Sequence, residues 1–464
     1  MKLSFREKLG YGLGDTASNF VWATIMSFLM FFYTDIFGIS PAAAGALLFF
    51  ARLFNAGIDF LMGILADRTQ TRWGKFRPYL LWMAVPLALV ATFTFTVPDL
   101  SAGARLAYAW VTYNLLMICY TAINIPYSAL SGVMTDDPVE RTSLNSYRMV
   151  LAQVGGLAVS SGTLWLIAHL GGGNDARGYQ YTMALFGVVM VVLFWFAFAT
   201  TRERIHPPPG QRAALFAGVG SLFSNRHWVF IFVAGILDLT FIVIRGETLM
   251  YYCTYCLHLD KGGTSTLLVL GNVGFILGAV ATQMLVARLG KKGGFILGHL
   301  LLGVSCAAFY FVPPAQLGQI QFWQVVNGIG GGVNATVYWA MVADTADFTE
   351  WKFGARTTGL VFSATACSQK IGMAVAGFLP GLLLADFGYV VGATQTSRAE
   401  LGITLLVSLI PAAGFLLIAA LFTRYGLTDA VCHSMRGELM ERRSLHGGPE
   451  GTERSGIASA GDLR

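Results

Sequence analysis

The chain has 464 residues, of which 55% are apolar and 12% are charged, and its formal net charge is +6. About a quarter of the residues in a soluble domain are charged, so this composition excludes a soluble globular protein and indicates a polytopic membrane protein. The six cysteines lie mostly within apolar segments and have no metal-ligand neighbours. We therefore expect neither disulfides nor a metal site, and no cofactor.

Apolar runs long enough to cross about 30 Å of hydrocarbon recur along the chain in two groups of six. The first group lies at residues 10–36, 41–66, 78–97, 105–134, 149–170 and 182–202. The second group lies at residues 227–254, 263–287, 294–312, 318–343, 357–385 and 401–423. These runs predict an all-α membrane protein with twelve transmembrane helices in two six-helix bundles, at 1–202 and 227–424.

Two polar segments lie outside these runs. The segment 203–226 is rich in proline and arginine, and we predict that it is a cytoplasmic linker between the two bundles. The segment 425–464 is predicted to be a cytoplasmic tail that is disordered after about Leu445.

Basic residues favour one side of this topology by about six to one. The other side has only Arg105, Arg177, Lys261 and Arg398. By the positive-inside rule, the richer side, with both chain termini, faces the cytoplasm across the inner membrane. The same asymmetry explains the net positive charge, so we expect the lipid bilayer and a small molecule as partners, and no nucleic acid.

Three polar residues share one face of the second predicted helix. Arg52, Asn55 and Asp59 are spaced by three and four residues, which places their side chains on one side of a helix. A charge in hydrocarbon costs at least roughly 2.5–3.5 kcal/mol, so such residues normally face a bundle interior or a water-filled path. The simpler alternative is an Arg–Asp pair that only holds two helices together. Apart from Arg52, the basic residues at membrane depth are Arg245 and Lys370.

The loops after the fourth and tenth helices carry mixed charges at matching places. The first reads DDPVER at 136–141 and continues to Arg148, and the second reads DTADFTEWK at 344–352 and continues to Arg356. Mixed charge is common in cytoplasmic loops, but its recurrence in both groups indicates paired clusters, as in transporters built from parallel six-helix repeats. We hypothesise that a gate between the bundles is formed by Arg141, Arg148, Asp344, Asp347 and Glu350.

Several segments resemble known transporters. The pattern Gly63-x-x-x-Asp67-Arg68-x-x-x-Arg72, between helices 2 and 3, resembles the loop signature of the major facilitator superfamily. Other segments resemble its glycoside–pentoside–hexuronide:cation symporters, the family of the melibiose carriers: GYGLGDTASN at 10–19, FYTD at 32–35, RWGKFRP at 72–78, NIPY at 124–127 and ER…YR at 140–148. The match extends through Ala343, Asp344 and Lys370. It implies a major facilitator fold and a carrier that imports a sugar or glycoside with a cation by alternating access.

The resemblance also implies a sugar site on helices 1, 4, 5 and 11. The matching residues are Asp15, Asn19, Tyr120, Asn124, Arg148 and Lys370. Carboxylate, carboxamide and guanidinium groups suit paired sugar hydroxyls, and aromatic side chains cover the apolar face of the ring. The melibiose-type branch has carboxylates at the positions of Asn19 and Asn124 and a tryptophan at that of Ser128. The chain departs from that branch at all three positions, so galactoside specificity is not implied.

The family's cation site maps to Asn55, Asp59, Thr121 and Lys370. Sodium-using members have an aspartate at the position of Asn55. A sodium ion needs several oxygen ligands and compensating charge, whereas one buried carboxylate suffices for a proton, and burial favours its protonated form. We therefore predict proton symport through Asp59, with sodium the less favoured ion. Lys370 is expected to approach Asp59 mainly after the proton has left.

Further possible site members are Arg52, Asp238 and Arg245. Asp238 and Arg245 are seven apart on one face of helix 7, which predicts an intrahelical or interhelical structural pair, and the role of Glu247 stays open. Because Asn19 and Asn124 replace carboxylates while cationic residues remain, we hypothesise an anionic sugar, with a neutral pentoside as the alternative.

Three other functions remain open at this stage. The chain could be an uncoupled facilitator, or a carrier of another small solute on the same fold. A membrane enzyme or sensor is the alternative from another class, but the sequence has no metal-ligand cluster, nucleophile elbow or phosphate loop. We expect a transporter that is not an enzyme and acts as a monomer.

Overall fold

The computed structural model describes residues 3–135, 137–204, 222, 224–353 and 358–446. Its N-half contains α1 (Phe5–Thr24, continued by the π-helical turns Ile25–Leu29 and Phe32–Ile36), α2 (Pro41–Arg68), α3 (Arg77–Trp82 and Ala84–Thr94), α4 (Ala102–Met134), α5 (Pro138–Leu170) and α6 (Asp175–Thr200). Its C-half contains α7 (Arg226–Tyr251, continued by Tyr252–Cys256), α8 (261–289), α9 (291–311), α10 (Leu317–Phe353), α11 (Thr358–Asp386), α12 (Ser397–Val407 and Leu409–Phe422) and α13 (Asp429–His446).

Gly290 separates α8 from α9. The helical hydrogen bonds run on from Lys261 to Phe311, but Gly290 has φ 72° and ψ 170°, a left-handed conformation that favours glycine. Asp429, at the start of α13, accepts a hydrogen bond from the backbone N–H of Lys291 at 2.8 Å. The junction therefore depends on a residue far away in the sequence.

Eight helices of the described residues are long and apolar enough to cross a membrane, and one of these, Lys261–Phe311, contains both α8 and α9. Several helices begin at a side chain that caps their free N–H groups. Ser40 caps α2, Asn225 caps α7 and Asp260 caps α8. These caps fix where the chain turns between consecutive helices.

The two halves repeat one local structure. In α1 the N–H groups of Phe37 and Ile39 bond to the carbonyls of Phe32 and Tyr33, at 2.7 and 3.0 Å. In α7 the N–H groups of Leu257 and Leu259 bond to the carbonyls of Tyr252 and Cys253, both at 2.9 Å. Both helices thus end in the same π-helical turn, and π-turns are frequent at functional sites.

We call this end of the molecule the distal end. The end where α1 begins and α12 ends is called the terminal end.

The RWGKFRP segment holds the start of the linker at the terminal end. The backbone N–H groups of Lys75, Phe76 and Arg77 donate to the Glu203 carboxylate at 2.9, 2.7 and 2.9 Å. Gly74 has φ 112°, and a Cβ there would overlap that carboxylate, so glycine is required on two grounds.

A second contact at the terminal end joins α1 to α5. Lys8 bonds to Glu140 at 2.8 Å, and this bond lowers the pKa of the Glu140 carboxyl below its usual range. Both of these terminal-end contacts lie within the N-half.

Three features differ from the sequence predictions. Helix α5 begins at Pro138 rather than near 149, and α10 runs to Phe353 rather than 343, because charged helix ends extend beyond the apolar runs that hydropathy detects. The predicted tail begins with a helix, α13, which buries Cys432, Met435 and Leu439. Residues 205–221 of the predicted linker, and the tail beyond His446, lie outside the described residues.

Candidate functional site

A cavity of about 230 Å³ lies between the two halves, where α1, α2 and α4 of the N-half face α11 of the C-half. Its walls combine apolar, aromatic and ionisable side chains: Trp22, Arg52, Asn55, Asp59, Met117, Tyr120, Thr121, Asn124, Ile125, Ser128, Lys370 and Met373. A concave site with a few polar groups among apolar ones is typical of small-molecule binding. Seven of the site residues predicted from the sequence thus surround one space.

Asp59 is the centre of the polar wall. The ammonium of Lys370, on α11, contacts Asp59 Oδ2, so this ion pair joins the two halves. Thr121 Oγ1 lies 2.7 Å from Asp59 Oδ1 and 3.0 Å from Asn55 Oδ1, and its one hydrogen serves either acceptor. Three oxygens of α2 and α4 therefore cluster beside a single carboxylate charge.

The simpler interpretation of the sequence, an ion pair between Arg52 and Asp59, is wrong. Arg52 Nη2 donates to Glu247 Oε1 on α7 at 2.7 Å, and its Nη1 donates to the carbonyl of Met373 on α11 at 2.6 Å. The Arg52 and Glu247 side chains are 5% and 1% exposed. Arg52 belongs to a buried contact between the halves, and Glu247 is its partner.

One wall of the cavity is aromatic. The rings of Trp22 and Tyr120 stack with centroids 5.5 Å apart and an interplanar angle of 22°. Beside them, Asn124 Nδ2 donates to Ser18 Oγ at 3.3 Å. Trp22 was not among the predicted site residues, although it follows Asp15 and Asn19 at spacings of seven and three on one helix face.

Three predicted sugar ligands lie outside the cavity lining. Arg148 Nε donates to Asp15 Oδ2 at 3.1 Å, and the guanidinium lies over the Tyr127 ring at 5.3 Å. Asn19 Nδ2 donates to the carbonyl of Asp15 in its own helix at 2.9 Å. In this structure these residues form a polar layer next to the cavity rather than part of its wall.

Asp238 and Arg245 do not bond to each other, contrary to the first interpretation of their spacing. Asp238 Oδ1 lies 3.2 Å from His299 Nε2 on α9, and Arg245 Nη2 donates to Gln324 on α10 at 2.7 Å. The two residues are buried inside the C-half, away from the cavity lining, and connect α7 to its neighbours.

Helix α11 is less closely packed on the terminal side of the cavity than on the distal side. Residues 367, 370, 373, 377 and 381 of α11 are spaced by three and four, so they share the face that meets α2. Cys367, on the terminal side of Lys370, is exposed. Towards the distal end, Gly377 and Gly381 pack against α2 so closely that a Cβ at 381 would lie 2.9 Å from the Cα of Gly45.

The proposed gate residues lie at the terminal end. Lys291 contacts Asp344 within the C-half, and Arg148 pairs with Asp15 within the N-half. Asp347 and Glu350 lie in the last two turns of α10, and the side chain of Arg141 lies outside what the structure describes. These ion pairs of Arg148 and Asp344 are each internal to one half.

Twelve helices in two halves around a central polar cavity are the architecture of a membrane transporter. The chain matches the family described as MFS/sugar transport protein over residues 10–429. It is 37% identical to the inner membrane symporter YicJ of Escherichia coli (strain K12), covering 91% of this chain and 92% of the relative. It is 33% identical to the isoprimeverose transporter of Lactiplantibacillus pentosus, covering 94% and 92%. It is 32% identical to the glucuronide carrier protein homolog of Escherichia coli (strain K12), covering 96% and 97%.

The chain therefore belongs to the MFS/sugar transport protein family. Membership confirms the predicted major facilitator fold and the predicted family of glycoside and cation symporters. The protein is a multi-pass transporter of the inner membrane, and the enzyme alternative is wrong.

Proposed function

We propose that this protein imports a neutral glycoside together with a proton, and that Asp59 carries the proton. The observation that supports this most directly is the contact of Asp59 with Lys370 across the two halves. In this proposal the terminal end, which is rich in basic residues, faces the cytoplasm. One chain encloses the cavity, so the functional unit is a monomer.

The cycle follows from the charge of Asp59. When Asp59 is ionised, Lys370 neutralises it and joins α2 to α11. When Asp59 is protonated, the ion pair is lost, and Lys370 is free to bond to a sugar hydroxyl. A buried carboxylate is stable only when it is paired or protonated, so proton uptake and Lys370 release occur together. The structure, open at the terminal end, corresponds to the state after proton release.

Sodium fits this wall less well. Removing the hydration shell of a cation requires several oxygen ligands, and here Asn55 Oδ1, Asp59 Oδ1 and Thr121 Oγ1 provide three oxygens and one charge. The ammonium of Lys370 already neutralises that charge. An uncoupled facilitator is the second candidate, because a permanent Asp59–Lys370 pair would leave nothing for the proton to bind.

Asp59→Asn tests the role of Asp59 as the proton carrier. The amide resembles a permanently protonated carboxyl, so we expect the variant to exchange labelled glycoside across proteoliposomes but not to accumulate it. Asp175→Asn, at a half-exposed carboxylate far from the cavity, is the matched control and should accumulate normally. Accumulation by Asp59→Asn at the unaltered level would exclude Asp59 as the carrier.

The proposed neutral substrate replaces the anionic hypothesis from the sequence. That hypothesis assumed that cationic groups were available, but the three beside the cavity each pair with a carboxylate: Arg52 with Glu247, Lys370 with Asp59, and Arg148 with Asp15. With these pairs formed, as they are in this structure, an anionic sugar would meet no excess positive charge in this wall.

A competition measurement tests the charge of the substrate. Two of the three relatives named above are an isoprimeverose transporter and a glucuronide carrier homolog, one of each kind. We expect an uncharged glucoside or xyloside to compete with the transported sugar at least about tenfold better than the glucuronide of the same aglycone. Stronger competition by the glucuronide would restore the anionic hypothesis.

A further inference from the structure

Two layers of polar contacts join the halves on the distal side of the cavity. The inner layer is the buried Arg52–Glu247 ion pair, with an N···O distance of 2.7 Å. The outer layer centres on Asp35 of the FYTD segment, whose Oδ1 accepts hydrogen bonds from the hydroxyls of Tyr255 and Tyr389. Both tyrosines belong to the C-half. The substrate mechanism proposed above uses neither layer.

Glu247 depends on Arg52 alone. Its Oε1 accepts the Arg52 hydrogen bond, while its Oε2 is buried and has no hydrogen-bond partner in the described part of the chain. Removing one partner of a buried ion pair is strongly unfavourable, because the remaining charge is left without compensation. The Arg52–Glu247 pair requires the distal side to be closed, so the pair in turn stabilises the closed state.

Arg52 connects this layer to the cavity. It lines the cavity from the same face of α2 as Asn55 and Asp59, one and two turns away. The helix opposite makes room for it, since a Cβ at Gly377 would lie 2.7 Å from Arg52 Nη1. The guanidinium thus fits into a slot between α7 and α11 at the cavity wall.

We propose that Glu247 is a positioning residue of the transport cycle. It holds Arg52, and with it α2, against the C-half, and so latches the distal side closed while the terminal end is open. Asp35 and its two tyrosines form the outer layer of the same latch. Opening toward the distal side requires both layers to separate, because each joins residues of different halves.

Glu247→Gln tests the latch in the sugar-free protein. With Arg52 unpaired, the closed distal side loses its advantage, the carrier moves toward the distal-open state, and the terminal end closes over Cys367. We expect maleimide labelling of the exposed Cys367 to slow by roughly tenfold, since the loss of a buried partner shifts a two-state balance at least that far. Labelling that survives Cys367→Ser gives the background from the other cysteines.

The matched control is another ion pair between the halves. Lys261 and Asp175 also join α8 to α6 at the distal end, but their side chains are 38% and 43% exposed. An exposed ion pair contributes little to the stability of the closed distal side. Cys367 in the Asp175→Asn variant should therefore be labelled at the unaltered rate. Equal labelling rates in Glu247→Gln and the unaltered protein would overturn the proposal.

A second variant distinguishes a latch from a general loss of packing, and it applies if Glu247→Gln does not fold. Arg52→Glu combined with Glu247→Arg restores an ion pair with its charges exchanged, and we expect Cys367 labelling within about threefold of the unaltered rate. If Cys367 is labelled as slowly as in Glu247→Gln, the attraction between the two charges is not what keeps the distal side closed. This readout uses no sugar, so it is independent of whether Asp59 carries a proton.

Discussion

At the scale of single residues, the site is built from charges that neutralise one another. Asp59, Lys370, Arg52 and Glu247 form two ion pairs, and each pair has one member in each half. Ion pairs between moving halves can break and re-form as a carrier changes state, whereas pairs inside one half stay together. The position of each pair, more than its strength, indicates its role in transport.

Trp22 supplies a flat apolar surface to the cavity and packs on Tyr120. Sugars present an apolar ring face that stacks on such a surface, and an aromatic contact is worth about 0.5–1.5 kcal/mol beyond its buried area. We expect Trp22→Ala to raise KM for the transported sugar by about tenfold with a smaller effect on the maximal rate. Trp165→Ala, at a membrane-exposed position on α5, is the control. An unchanged KM in Trp22→Ala would remove the ring-stacking role.

The sequence predicted the residues of the polar wall and the approach of Lys370 to Asp59, but not the partner of Arg52. Spacing placed Arg52, Asn55 and Asp59 on one face of α2, because helical periodicity depends on local geometry alone. It could not show that Arg52 bonds to Glu247, which lies 195 positions away on another helix. Partners between helices depend on how the helices pack, and hydropathy contains no information about packing.

At the scale of helices, α2 and α11 form the closest contact between the halves. Gly45 and Gly381 allow the two backbones to approach, as small residues commonly do in membrane helix interfaces. This contact lies between the cavity and the distal end, so it determines how tightly that side closes.

Gly381→Ala tests this contact. A methyl group at 381 would lie 2.9 Å from the Cα of Gly45 and closer still to the carbonyl of Pro41, so the helices must move apart. We expect the transport rate to fall by about tenfold or more, because misfit at a packed contact costs about 1–3 kcal/mol. Gly57→Ala is the matched control in α2, since nothing lies within 4 Å of a Cβ there. Similar losses in both variants would contradict a specific role for the contact.

Helix α13 shows where sequence reasoning fell short at this scale. Its residues are polar on average, so the sequence predicted only a cytoplasmic tail from 425, disordered after about Leu445, and no helix within it. The helix is stabilised by contacts that only the fold provides, including the hydrogen bond from Trp351 Nε1 to Glu438 at 2.8 Å. By contrast, the long apolar runs predicted the positions of the eight described helices that are apolar enough to cross a membrane.

At the scale of the whole molecule, we interpret the structure as closed on the distal side and open at the terminal end. The contacts that cross between the halves include Thr34 with Tyr251 at 2.7 Å and Asn272 with Ser160 at 2.7 Å. The terminal-end pairs of Lys8 and Lys291 each stay within one half. The gate hypothesis, in which the terminal-end charges pair across the halves in the opposite state, stays a prediction.

Asp347→Arg tests the gate of Arg141, Arg148, Asp344, Asp347 and Glu350. A reversed charge would weaken the closed terminal end, and each such pair is worth about 0–1 kcal/mol, enough in a group to bias the conformation. We expect the maximal rate of uptake to fall severalfold while sugar binding, measured by equilibrium dialysis, changes by less than about twofold. Lost binding with an unchanged rate at saturation would contradict the gate.

The most direct test of the central claim is sugar accumulation by the unaltered protein in proteoliposomes under imposed ion gradients. We predict that a pH gradient, acidic outside, drives accumulation, that a protonophore abolishes it, and that a sodium gradient at equal pH produces only equilibration. Accumulation driven by the sodium gradient alone, at equal pH and with the protonophore present, would contradict proton coupling through Asp59.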